Sequence, residues 1–199
     1  MFIVFEGLDG CGKSTQIKLL ENKLKEAGFN NVKTFREPGS TKISEDIREM
    51  LLNYDITDTQ RLFLFLASRN AVVEEQIKPA IENGNIVLCD RYTPSTLAYQ
   101  GYGKNVADIL TIHQMNNIAC ENIQPDWVIF IDIPVEESIK RNNTYDKMEE
   151  SVMNVYEKIY NGYKQLSKNN NWIVVDGMKS KDEISEEIFD IIKRKMNLW

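Results

Sequence analysis

Gly7-Leu8-Asp9-Gly10-Cys11-Gly12-Lys13-Ser14-Thr15 has the form Gly-x-x-x-x-Gly-Lys-Ser, and its flanks decide how it is read. Before it runs Phe2-Ile3-Val4-Phe5, a short apolar segment rich in β-favouring residues; after it Ile17, Leu20, Leu24 and Ala27 recur at helical spacing. Strand, loop and helix in that order are the setting of a phosphate-cradling loop. Gly7, Gly10 and Gly12 let the backbone curl around an anion with its N–H groups inward, and the following helix adds its positive N-terminal end. Lys13 is placed to reach the β- and γ-phosphates of a nucleoside triphosphate. The Ser14 hydroxyl can ligate a magnesium ion bridging the same groups, and Cys11 and Thr15 complete the cradle.

Working outward, five short β-like runs stand at Phe2 to Glu6, Val32 to Arg36, Ile86 to Asp90, Trp127 to Asp132 and Trp172 to Asp176, with helical patterns between them. Near-continuous apolar runs such as Val128-Ile129-Phe130-Ile131 suit strands covered on both faces, and alternation with helices predicts a parallel sheet of the doubly wound α/β class. Ligands of such sheets bind beyond the carboxyl ends of the strands, where Glu6, Arg36, Asp90 and Asp132 fall. Gly28 is expected to end the first helix, Thr57 with Gln60 and Ser180 with Glu183 form capping-box patterns, and Pro134 suits a helical first turn. Pro79 interrupts the long helical pattern from Asp58 to Asn83, which predicts a kink or break near it. The polar stretch Asn142-Asn143-Thr144-Tyr145-Asp146 reads either as a flap or as an ordinary surface loop.

A chain of 199 residues, 42% hydrophobic and 27% charged, fits one α/β domain spanning 1–199 with an ordinary buried core. Its net charge of −6 argues against a general nucleic-acid binder, which displays a basic face. No apolar run approaches the roughly 20 residues of a membrane span, and no secretory signal opens the chain, so a cytoplasmic location is expected. Cys11, Cys89 and Cys120 lack the spacing of a disulfide framework or a zinc site. The single histidine, His113, falls in a helical pattern, so histidine acid–base chemistry has little support.

A phosphate loop alone does not separate kinases from GTPases, motors or ATPases. No Asn-Lys-x-Asp guanine-reading motif occurs, which weighs against a GTPase. The second strand runs into Arg36-Glu37-Pro38-Gly39, and the third into Asp90-Arg91-Tyr92-Thr93-Pro94-Ser95-Thr96-Leu97-Ala98-Tyr99-Gln100-Gly101. Leu64-Phe65-Leu66-Ala67-Ser68-Arg69 lies between them. With Ile47-Arg48-Glu49-Met50-Leu51-Leu52, Pro125-Asp126-Trp127 and Asp132-Ile133-Pro134-Val135-Glu136, these motifs resemble the thymidylate kinase family over almost the whole chain.

The resemblance implies a P-loop kinase fold, a five-stranded parallel sheet flanked by helices on both faces, and transfer of a phosphoryl group from ATP, with Mg2+, to dTMP. It implies that a region around 36–101 binds dTMP. Phe65 would stack on thymine, Arg69 one turn later would donate to a thymine carbonyl, and Ser95, Thr96 and Gln100 would line the base. Tyr99 would crowd the sugar 2′ position, and Asp9 would approach the 3′-hydroxyl. Arg36, Arg48 and Arg91 would hold the dTMP phosphate, oriented by Glu37, while Asp90 with Ser14 would support magnesium. The lid, around 141–150, has lysine where the family commonly has arginine; Arg141 or Lys147 would supply the cation that this phosphate loop lacks, Arg141 being preferred. A homodimer through a region including Val106 to Asn122 is implied as well. A related deoxynucleoside kinase, or a non-catalytic nucleotide-binding regulator, remains the alternative.

Overall fold

The computed structural model describes residues 1–142 and 150–196. Five strands, β1 (Phe2–Glu6), β2 (Val32–Arg36), β3 (Ile86–Asp90), β4 (Trp127–Asp132) and β5 (Trp172–Asp176), form one parallel sheet in the order β2-β3-β1-β4-β5. All five coincide with the β-like runs read from the sequence. The order reverses on either side of β1, so the crevice at the carboxyl end of the sheet opens beside the loop that follows β1.

The pleat divides β1 between two cores. Ile3 and Phe5 face helices α1 (Lys13–Glu26) and α9 (Lys181–Lys195), packing with Leu20, Leu24, Ile184 and Ile188. Phe2 and Val4 face the opposite side with Val72, Val73, Ile77 and Tyr92. Glu6 shares that second face by the same alternation, and it is fully buried there.

Between β2 and β3 lie α2 (Lys42–Asn53), α3 (Asp58–Val72), a π-helical segment (Val73–Ile77) and α4 (Lys78–Glu82). The break expected near Pro79 takes this form: the residue that cannot donate an amide sits in the first turn of α4, and one widened turn precedes it. A second π-helical segment, Leu97–Gly103, continues from the short α5 (Thr93–Thr96) and leads to α6 (Ile109–Ala119). The chain then runs through α7 (Val135–Arg141) and α8 (Glu150–Leu166).

Both capping boxes form, at Thr57 with Gln60 and at Ser180 with Glu183. Helix α1 ends as expected at Gly28, where Gly28 N–H donates to Lys25 O and Phe29 N–H to Leu24 O. Pro134 differs from expectation: its ψ of 152° is not helical, so it caps α7 instead of entering the first turn.

Candidate active site

The loop between β1 and α1 takes its shape from left-handed backbone. Gly7 has φ 142°, and a Cβ there would stand 2.7 Å from Ile131 O; Gly10 has φ 76°. Helix α1 begins with no side-chain cap and no acidic residue in its first turn, leaving its amide donors and positive end available to an anion. Lys13 is buried, its ammonium donating to Gly7 O (3.1 Å) and Leu8 O (3.0 Å) with Cys11 Sγ 3.7 Å away. Ser14 Oγ donates to Asp90 Oδ2 at 2.6 Å.

Two adjoining cavities open here. One, of about 460 Å³, is formed by Gly10 and by the helix start from Gly12 to Thr15, with Asp90 and Arg36; Cys11 turns into the core instead. The other, of about 310 Å³, is lined by Phe65, Arg69, Ser95, Thr96, Tyr99 and Gln100, with Leu51, Leu52 and Arg61 as well. Asp9, Glu37, Arg48 and Arg91 belong to both walls. The arrangement thus joins an anion cradle to a part-apolar pocket through a shared boundary carrying two arginines.

Arg91 is the hub of that boundary. Its Nη2 donates to Asp9 Oδ1 (2.6 Å) and Tyr99 OH (3.3 Å), and its Nη1 to Ser95 Oγ (3.0 Å) and Tyr163 OH (3.2 Å). Burial works against the Asp9 charge, but the Arg91 and Lys13 charges outweigh it and hold the carboxyl below its usual range. Burial also pushes the Glu6 carboxyl upward, partly offset by the Arg91 charge and by hydrogen bonds from Ser95, Tyr92 and Tyr163.

The pocket beyond is organised by Arg69. It is almost fully buried and donates from Nε to Glu37 Oε2 (2.8 Å) and from Nη1 to Thr96 Oγ1 (2.9 Å) and Asn116 Oδ1 (2.5 Å). Its guanidinium lies 5.3 Å from the Tyr92 ring centroid. Phe65, one turn earlier on α3, is half-buried and lines the pocket instead of joining the packed clusters.

Several expectations change at this point. Glu37 does not orient Arg36, Arg48 and Arg91; it pairs with Arg69, because its buried carboxylate meets the guanidinium reaching across from α3. Arg36, though beside the larger cavity, holds Glu45 with two hydrogen bonds of 2.8 and 2.9 Å, and Arg48 donates to Pro38 O at 3.0 Å. Arg141 lines neither cavity: it binds Glu137 (2.7 Å), Gly10 O (3.4 Å) and Gly177 O (3.2 Å) on the outer side of the loop. Lys147 and the rest of the polar stretch from Asn143 lie outside the described residues. Tyr163, Asn116 and Arg61 were not singled out from the sequence, and Glu6 only by its place at a strand end, since each joins the site only through contacts made by the folded chain.

Among the described residues, no group of three or more His, Cys, Asp or Glu could hold a metal ion. Ser14 and Asp90 do offer paired hard oxygen donors at the cradle, which suits magnesium bound by one carboxylate, a hydroxyl and substrate phosphates. No described helix is long and apolar enough to cross a membrane.

Comparison with known proteins agrees with this geometry. The family model described as thymidylate kinase matches residues 5–188. Thymidylate kinase of Fervidobacterium nodosum is 42% identical over 194 residues, covering 96% of this chain and 98% of the relative. That of Thermosipho africanus is 43% identical over 201 residues, covering 98% and 99%. The crystal structure of thymidylate kinase from Ehrlichia chaffeensis superposes with a TM-score of 0.78 at 31% identity, over 96% of this chain and 98% of that one. With the phosphate loop, the parallel sheet and a full-length likeness all in agreement, the chain belongs to the thymidylate kinase family.

Proposed function

We infer that this member of the family transfers the γ-phosphoryl group of ATP to dTMP, giving dTDP and ADP, by direct in-line attack between the two adjoining cavities. The observation that carries the reading is their shared wall, Asp9, Glu37, Arg48 and Arg91, which puts cations where a donor and an acceptor phosphate would meet. A dTMP phosphate oxygen is already anionic at neutral pH, so the reaction needs no general base. The protein's task is to align two anions and neutralise their repulsion.

In this reading ATP places its phosphates in the Gly7–Thr15 cradle, with Lys13 leaving the loop carbonyls for the β- and γ-oxygens. Ser14 and Asp90 would hold Mg2+, which when bound neutralises charge on the bridging phosphates. Phe65 offers thymine a stacking face, while Arg69, Thr96 and Gln100 supply polar contacts to the base. Tyr99 walls the sugar. Arg91 and Arg48 take the acceptor phosphate, with Asp9 released from Arg91 Nη2 toward the 3′-hydroxyl. Preorganised cations at this position can be worth orders of magnitude in rate. Arg141 and Lys147 remain the candidates for a further cation from the lid.

A homodimer across α6 is part of the same reading, supported by Leu110 and Ile118, which stand 66% and 79% exposed on that helix. A cytoplasmic setting fits the three buried, unpaired cysteines. Steady-state kinetics with dTMP, dUMP, dCMP and thymidine test the assignment: dTMP should give the highest kcat/KM. A clear preference for thymidine would replace it with a deoxynucleoside kinase, and no dTDP from ATP, Mg2+ and dTMP would point to a non-catalytic nucleotide binder.

A further inference from the structure

Glu6 has no part in the chemistry above, yet its carboxylate is fully buried at the C-terminal end of β1, two bonded contacts from the reacting centre. Oε1 accepts from Tyr92 N (2.8 Å) and Ser95 N (3.2 Å), which closes the turn from β3 into α5. Oε2 accepts from Ser95 Oγ (2.6 Å) and Tyr163 OH (2.9 Å). Four donors fill the four lone-pair sites of an ionised carboxylate, so both hydroxyl protons point at Glu6 and the 3.0 Å approach of Ser95 Oγ to Tyr163 OH carries neither of them. The remaining lone pairs of those hydroxyls face Arg91 Nη1, at 3.0 and 3.2 Å.

We propose that Glu6 is a positioning residue for phosphoryl transfer to dTMP: its buried carboxylate sets the direction of the Ser95 and Tyr163 hydroxyls, so that both accept from Arg91 and fix its guanidinium between the two cavities. The inference rests on the reading of Arg91 as a phosphate ligand. It divides the guanidinium into an anchored side, Nη1, and a working side, Nη2, whose partners Asp9 and Tyr99 line the substrate pocket. Tyr163 ties the same point to α8, so α5 and α8 meet on one nitrogen, each held in turn by Glu6 of β1.

Glu6→Gln separates positioning from a purely structural role. The amide oxygen can still accept from Tyr92 N and Ser95 N, preserving the turn. Its NH2 group then occupies the Oε2 position and donates, so the two hydroxyls accept there and their protons turn away from residue 6, toward Arg91 or toward each other across 3.0 Å, in either case competing with the Arg91 N–H groups. Tyr163→Phe removes one arm and keeps the carboxylate, which loses only one of its four donors. Each should be measured alone and combined with Arg91→Ala, reading kcat, KM for dTMP and for ATP, dTMP affinity by calorimetry, and thermal unfolding.

Glu6→Gln should lower kcat/KM for dTMP about 10- to 100-fold, with KM for ATP unchanged. Tyr163→Phe should act in the same direction by less. In the Arg91→Ala background neither should cost anything further, because the group they position is gone. Additive losses in that background would overturn the inference while leaving Arg91 in place. If Glu6→Gln does not fold, the Tyr163→Phe cycle decides by the same criterion. Arg91→Ala with undiminished dTMP turnover would instead overturn the role of Arg91, and this inference with it.

Discussion

Glu37→Gln isolates the energetics of a single buried proton. Glu37 lies almost fully buried against Arg69, and burial pushes its carboxyl from an ordinary 4.5 up to about 7, against the pull of the Arg69 charge and hydrogen bond. Its second oxygen, Oε1, has no hydrogen-bond partner among the described residues, which is consistent with burial winning. A carboxyl titrating near 4.5 unfolded and near 7 folded binds more proton in the folded state throughout that window. Its contribution to stability is full below pH 4.5 and is lost as pH rises through 7, a total of about 3 kcal/mol. Glutamine matches the protonated form in shape and cannot ionise. The variant should therefore exceed the wild type by about 1 kcal/mol at pH 5 and by about 3 kcal/mol at pH 8, the latter roughly 6–12 °C in Tm for a chain of this size. Urea unfolding of both proteins at the two pH values, at one protein concentration, measures the difference, in which titration of distant groups cancels. A variant that loses stability relative to wild type on going from pH 5 to pH 8 would refute the reasoning. It would show that the Arg69 attraction outweighs the cost of burying the charge.

Tyr99→Ala should relax discrimination against a sugar 2′-hydroxyl, raising kcat/KM for ribothymidine monophosphate relative to dTMP by about tenfold, as read by parallel steady-state assays. Ser14→Ala should raise the Mg2+ concentration needed for half-maximal turnover, because it removes one of the two paired oxygen donors at the cradle. Gly103→Ala should destabilise the fold by about 1–3 kcal/mol in urea titration. A Cβ there would lie 2.5 Å from Ile159 Cγ1, prising the π-helical segment from α8.

The central strands were legible because a strand covered on both faces must be apolar throughout, as the runs from Phe2, Ile86 and Trp127 are; the edge runs from Val32 and Trp172, exposed at Lys33, Thr34 and Val174, were legible as β-like segments alternating with helices. The cradle was legible because Gly7 and Gly12 are needed within five residues of each other for conformations that side chains resist. Pro79 announced a disturbance by lacking an amide, but not that it would be absorbed by the π-helical turn Val73–Ile77. The segment Leu97–Gly103 carries no local signal of its π geometry, since Gly101 and Gly103 are shaped by the side chains of α6 and α8 packed against them. Glu6 reads as the last residue of a strand. Its partners are 86 to 157 positions away, so its importance exists only once β1, α5 and α8 have met. Glu37 shows the same limit in reverse: the resemblance set it to orient Arg36, Arg48 and Arg91, whereas the fold pairs it with Arg69.

In the proposed reaction the phosphoryl group passes directly from ATP in the loop cavity to dTMP in the adjoining one, with no protein nucleophile between them. ATP made chiral at the γ-phosphorus with oxygen isotopes tests this in one reaction. A single in-line displacement predicts inversion of configuration in the dTDP formed. Retention would mean two displacements through a phosphorylated side chain, and would contradict the account.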